Sequence, residues 1–169
     1  RDCAAGTIAN VGREGCTAID PGCQDDGWPM AMDSEAPALF VRAGDVGDGS
    51  SIDSPMGTIQ AAIDAAADSD VIWGAQGTYE EALTLARSVP LRGACAEQTI
   101  VSPPAPENAI KDAAITVAGV GNVAVYSFTL TGERNGVQVD NHQGTVHLEG
   151  LAIDGNTYGG LQGQGASAV

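Results

Sequence analysis

Asn122-Val123-Ala124-Val125-Tyr126-Ser127-Phe128-Thr129-Leu130-Thr131-Gly132 is followed by Thr145-Val146-His147-Leu148-Glu149-Gly150-Leu151-Ala152-Ile153-Asp154-Gly155. The two stretches superimpose without a gap at an offset of 23 residues, with Val123 on Val146, Val125 on Leu148, Phe128 on Leu151, Leu130 on Ile153 and Gly132 on Gly155. One residue of slack continues the match and lays Asn135-Gly136-Val137-Gln138-Val139 on Gly159-Gly160-Leu161-Gln162-Gly163. Each unit holds two or three short apolar-alternating runs separated by bends. A unit that small cannot enclose a core, and its period falls in the range of stacked repeats. An antiparallel sandwich also has short strands at close spacing, but it does not require the whole strand–bend–strand pattern to recur. The repeat therefore predicts an all-β solenoid in which Val, Ile and Leu pile into columns.

Upstream, the chain divides at about residue 37. Residues 1–37 form a Cys-rich, loop-rich segment with turn signals at Asp20-Pro21-Gly22, Asp25-Asp26-Gly27 and Trp28-Pro29. Such a segment is expected to be held by cross-links rather than by a core. Residues 38–169 form the body. Ala38-Leu39-Phe40-Val41 reads as a strand and leads into the glycine-rich loop from Gly44 to Ser51. One helix is predicted over Thr58–Ala67, where Ile59, Ala62, Ile63 and Ala66 fall on one face. Ser54-Pro55 or Thr58 supplies its N-terminal cap, and Asp68-Ser69-Asp70 ends it. In a solenoid that helix has a place, over the open end of the first coil. The period then changes to 2, with strands expected at Asp70–Trp73, Ala82–Leu85, Ser88–Gly93 and Thr99–Val101 and a turn at Gly74–Gly77. Pro90 lacks an amide donor, so its strand is expected near the covered end of the stack. Ser102–Glu107 reads as a polyproline-like loop. The final Gly165-Ala166-Ser167-Ala168-Val169 looks like the start of another strand, so more coils, or a partner, are expected at that end.

The stretch from Gly49 through Ser54-Pro55 to Thr58-Ile59-Gln60-Ala61-Ala62-Ile63, with the later Gly77-Thr78-Tyr79-Glu80-Glu81 and Leu91-Arg92-Gly93, resembles the pectin-lyase-like family. The resemblance spans about residues 38–169. It implies a right-handed parallel β-helix with an N-terminal capping α-helix, a turn at Gly77–Glu81 and a first outer strand at Leu91–Gly93. Gly57 departs from the family pattern, which often has an aromatic there, and this implies a less firmly anchored helix. The Cys-rich start resembles cell-surface proteins of social Gram-negative soil and marine bacteria.

Composition limits the function. The chain has 43% hydrophobic residues, only 4% aromatics and 23 glycines, which suits short aliphatic strands and tight bends. Its net charge of −15 repels phosphate backbones and anionic lipid, so nucleic acid is not an expected partner. No run is apolar enough over ~18 residues to insert in a membrane. The four cysteines, Cys3, Cys16, Cys23 and Cys95, have spacings unlike those of zinc sites and favour disulfides, hence a secreted or cell-surface location. Four cysteines allow three pairings; Cys3–Cys16 with Cys23–Cys95 is preferred, the first within the segment and the second tying it to the body.

Catalytic signals are weak. A lyase of this fold uses a base beside a sugar carboxylate, often with Ca²⁺. Arg134 is a candidate base, and Asp140 or Asp154 a candidate calcium ligand. The same residues, with His142 and Asn156, mark a candidate ligand face, although Glu133-Arg134 and Asp154-Gly155-Asn156 are also ordinary turn sequences. The carboxylates do not recur at the repeat offset, and no stretch carries the two or three convergent acids of a hydrolase. Asp45, Asp48 and Asp53 form a candidate Ca²⁺ loop without EF-hand spacing. The expected function is an extracellular or cell-surface scaffold or adhesion module that binds a glycan or a protein partner through polar coil faces. The alternative is the N-terminal part of a carbohydrate-active enzyme with catalytic coils beyond residue 169.

Overall fold

Leu39, Ile72, Leu91, Val125 and Leu148 come from five stretches of the chain and stand side by side across one parallel ladder. The computed structural model describes residues 7–9, 16–18, 22–30, 32, 37–105, 112–132, 135–156 and 159–164. The elements are β1 (Thr7–Ala9), β2 (Cys16–Ala18), β3 (Ala38–Val41), α1 (Ile59–Ala65), β4 (Val71–Gly74), β5 (Gly77–Tyr79), β6 (Leu83–Leu85), β7 (Pro90–Gly93), β8 (Thr99–Val101), β9 (Ala113–Val120), β10 (Val123–Tyr126), β11 (Thr129–Leu130), β12 (Asn135–Gln143), β13 (Val146–Glu149), β14 (Ala152–Ile153) and β15 (Gly159–Gln164). β1 and β2 pair antiparallel. The others form three parallel sheets, ordered β13-β10-β7-β4-β3, β14-β11-β8-β5 and β15-β12-β9-β6. From β4 onward the chain visits these sheets in rotation, so the fold is all-β and its body is parallel.

The register follows the sequence repeat. Val123 pairs with Val146, Val125 with Leu148, Leu130 with Ile153 and Val137 with Leu161. Alternation along each strand sends one column inward and the next outward. The second sheet contributes Tyr79, Val101 and Leu130 to the interior, and the third contributes Leu83, Ile115 and Val137. Each fully buried aliphatic side chain contributes about 1.5–3 kcal/mol relative to exposure. The Tyr79 hydroxyl donates to the Ala75 and Val41 carbonyls at 2.7 and 3.2 Å, and burial raises its pKa so that it stays protonated. The bends are tight enough to need glycine. At Gly144 (φ +143°) a Cβ would collide with the Gly121 carbonyl of the preceding coil.

Several sequence expectations need correction. β7, which begins at Pro90, lies in the middle of its sheet, between β4 and β10. Pro90 is tolerated there because it is the first strand residue, and the β4 pairing starts only at Leu91. Gly77–Tyr79 is a strand paired with β8 rather than a turn, and Gly74 completes β4. The helix is shorter than expected, covering Ile59–Ala65 with Thr58 as its N-cap and Ala66 as its C-cap. Seven residues are too few for a helix to persist alone. Burial of Ile59, Ala62 and Ile63 against β3, β4 and β6 holds it, with both Glu81 carboxylate oxygens accepting from Ile59 N and Gln60 N at 2.7 and 2.9 Å. Gly57 does not weaken this anchor. The Asp45 carbonyl occupies the space a side chain would need there.

The described part of the N-terminal segment also uses more than cross-links. Cys23 and Cys95 form a disulfide, as preferred from the sequence. Trp28 is buried against Trp73 and Ala75, flanked by Met32, Ala38, Phe40 and Val71. Gln76 adds bonds to Gly27 and Gln24. Cys3 lies outside the described residues, as does its pairing with Cys16.

Two stability measurements check this account. Leu91→Ala should cost about 2–5 kcal/mol in urea unfolding, whereas Leu161→Ala, at a residue 64% exposed, should stay within about 0.5 kcal/mol; equal losses would contradict the interior column. Cys23→Ala combined with Cys95→Ala opens a 72-residue loop and should cost about 2–4 kcal/mol. An unchanged midpoint would mean that the Trp28 cluster alone holds the segment.

Candidate functional site

The described residues among those singled out from sequence do not assemble into one centre. Arg134 lies outside the described residues. Asp140 and His142 sit on β12, while Asp154 and Asn156 lie in the bend between β14 and β15. Asn156 reaches Gly132 O at 3.5 Å, near the start of β12, whereas Asp140 pairs with Gln164 further along that strand. At about 3.3 Å per residue, the separation along β12 keeps Asp140 away from the bend. Asp140 accepts a 2.7 Å bond from Gln138 Nε2. His142 is buried rather than displayed. The register shifts between Asp140 and Gln143, Asn141 has φ +44°, and among the described residues neither ring nitrogen of His142 has a partner.

The acidic loop is tied to itself. Asp48 Oδ1 accepts from Ser50 Oγ at 2.7 Å and Ser50 N at 3.0 Å, and Ser54 Oγ accepts from Asp48 N at 3.3 Å. The Ser50 hydroxyl bond, then the Ser50 amide, hold the Asp48 pKa below its ordinary 3.8. The structure does not gather Asp45, Asp48 and Asp53 into a set. Among the described residues no group of three or more His, Cys, Asp or Glu is placed to hold a metal ion.

A different cluster comes together on the outward face of the five-stranded sheet. Strand alternation that sends Ile72, Leu91, Val125 and Leu148 inward turns Phe40, Trp73, Arg92, Tyr126 and Glu149 outward, in register. Trp28 meets Phe40 edge-on at 5.8 Å, and the Arg42 guanidinium lies 4.9 Å from the Trp28 ring. The Arg92 guanidinium lies 4.0 Å from the Tyr126 ring centre and 5.8 Å from that of Trp73. Tyr126 neighbours His147 at 5.3 Å, and His147 Nε2 approaches Glu149 Oε2 at 3.0 Å. Both tryptophans join this face in a chain with only 4% aromatics. Pro29, Met30, Trp73, Arg92, Gly93, Ala94, Tyr126 and Ser127 line a cleft of about 180 Å³ between the N-terminal segment and the sheet. Period-2 alternation alone identifies each outward residue. Their adjacency depends on pairing offsets that vary from coil to coil, and no single repeat period reveals them. The third sheet carries a plainer polar column of Thr84, Thr116, Gln138 and Gln162, in which Gln138 is buried.

Because the folded Asp48 pKa is lowered, its hydrogen bonds are fully present above the unfolded value and are lost as pH falls through the folded one. A pH titration of the Ser50 amide by NMR should therefore show a midpoint below 3.8; a midpoint at or above it would contradict the Asp48–Ser50 turn. No protein-family model matches the chain, and no curated protein matches it.

Proposed function

We propose that this chain is an extracellular or cell-surface scaffold or adhesion module, built as a right-handed parallel β-helix of the pectin-lyase-like kind. In this reading α1 caps the first coil, the segment around Cys23 and Trp28 packs on the first strands, and the outer sheet faces meet a glycan or a protein partner. The observation that carries the reading is the agreement of register across all three parallel sheets, where equivalent side chains of successive coils stand in columns. Such a stack is a rigid surface on which outward residues keep fixed spacings of about 4.8 Å. The polar column with Thr84, Thr116 and Gln162 at its accessible positions and the mixed column through Arg92 are two such surfaces. The Cys23–Cys95 disulfide supports an oxidising compartment.

Incubation with polygalacturonate and with alginate, each with and without CaCl₂, separates this reading from the enzyme alternative. The scaffold reading expects no ultraviolet-absorbing unsaturated product and no new reducing ends. Either product at a rate proportional to protein concentration would overturn it.

A further inference from the structure

Among the described residues Arg92 has no ion-pair partner, in a chain whose net charge is −15. Its guanidinium is flanked by Tyr126 and Trp73 and, among the described residues, makes no side-chain hydrogen bond or ion pair. It is half-buried and lines the 180 Å³ cleft. Trp73 lines the same cleft and is 3% exposed; its indole N–H is itself buried and, among the described residues, has no hydrogen-bond partner. The Arg92 guanidinium offers donors only. Of the other lining residues, Pro29, Met30, Trp73 and Ala94 give apolar walls, Gly93 adds backbone, and Tyr126 and Ser127 each carry a hydroxyl. Such a site selects one acceptor-rich anionic group with a short apolar stem.

We propose that this cleft binds a single carboxylate presented by a protein partner, as the side chain of a glutamate in an otherwise uncharged segment. The inference rests on the adhesion reading and names the chemistry its partner would supply. Two observations favour a polypeptide over a sugar. Docking of a sugar ring uses an open aromatic face, but Arg92 already covers Tyr126 at 4.0 Å and Trp73 is buried. A polyuronate carries a charge on every ring and meets the repulsion of a −15 surface, whereas one carboxylate meets mainly the local guanidinium. The planar fork of Arg92 suits bidentate bonding to a carboxylate, and its stacking on Tyr126 holds the fork in place beforehand. The wall formed by Pro29 and Met30 belongs to the segment tethered through Cys23 to Cys95, the neighbour of Ala94.

The test titrates the folded chain with the capped tripeptide Ala-Glu-Ala, its Ala-Gln-Ala counterpart, and galacturonate, following the amides of Gly93, Ala94 and Ser127 by NMR. The glutamate peptide should shift these amides and bind at least tenfold more tightly than the glutamine peptide or galacturonate. Arg92→Gln should remove that tenfold preference, and Arg92→Lys should restore part of it. Equal binding of the two peptides, tighter binding of galacturonate, unmoved cleft amides, or an Arg92→Gln chain that keeps the preference would each overturn the proposal. If Arg92→Gln does not fold, the glutamate–glutamine comparison on the native chain decides alone. Polysaccharide cleavage would sink the scaffold reading without touching this result. Loss of glutamate selectivity with intact polysaccharide would sink only the carboxylate site.

Discussion

Parallel pairing between neighbouring strands of the three sheets is the constraint on which the rest of this structure depends. A strand of two to four residues, such as β11 or β13, has neither a core of its own nor partners for its backbone groups. Both needs are met together when the next coil lies in register beneath it. Hydrogen bonds then run from Val123 to Thr145 O and from Asp154 to Leu130 O, and the same registration brings Val125 over Leu148. A slip of one residue would turn Val123 and Val125 outward and Ala124 and Tyr126 inward, so the apolar interior enforces the ladder as much as the ladder builds the interior.

The spacing of paired strands varies. It is 23 residues between β10 and β13, but Leu91 and Val125 are partners across 34 residues. Similarly, the acidic loop and α1 fill the passage from β3 to β4. Lengthening a connection costs little when the strands it joins remain in place. The bends themselves tolerate less change, since Gly144 packs against Gly121 and Ser127 adopts φ +61°. The helix shows the same economy. It is too short to form on propensity and is held at one end by Glu81 and along its face by the first strands.

Inside and outside of the sheet serve different ends. The inward column is aliphatic and closely packed, which a chain with few aromatics can still build from Val, Ile and Leu. Of the few aromatic residues, Tyr79 and Phe128 fill the core, while Phe40, Trp73 and Tyr126 lie on the outward face around Arg92 and Trp28 packs against it. That placement buries Trp28 and Trp73 between two parts of the chain and leaves a small cleft beside Arg92 where they meet. The disulfide at Cys95 keeps this junction closed.

Much of the architecture was legible from residue order alone. The alignment of 122–132 on 145–155, and of Asn135–Val139 on Gly159–Gly163, coincides with the observed pairing, because here the strands of one repeat pair in parallel with the matching strands of the next. The preference for Cys23–Cys95 and the Thr58 cap were likewise readable. What lay beyond reach was anything set by unequal coil lengths. The central position of Pro90, the strand at Gly77–Tyr79, the burial of His142 at a bulge and the contact of Arg92 with Trp73 and Tyr126 all depend on pairings whose offsets differ from coil to coil. Local alternation determines which way a side chain points. Only the folded stack decides which outward side chains, drawn from distant parts of the chain, become neighbours.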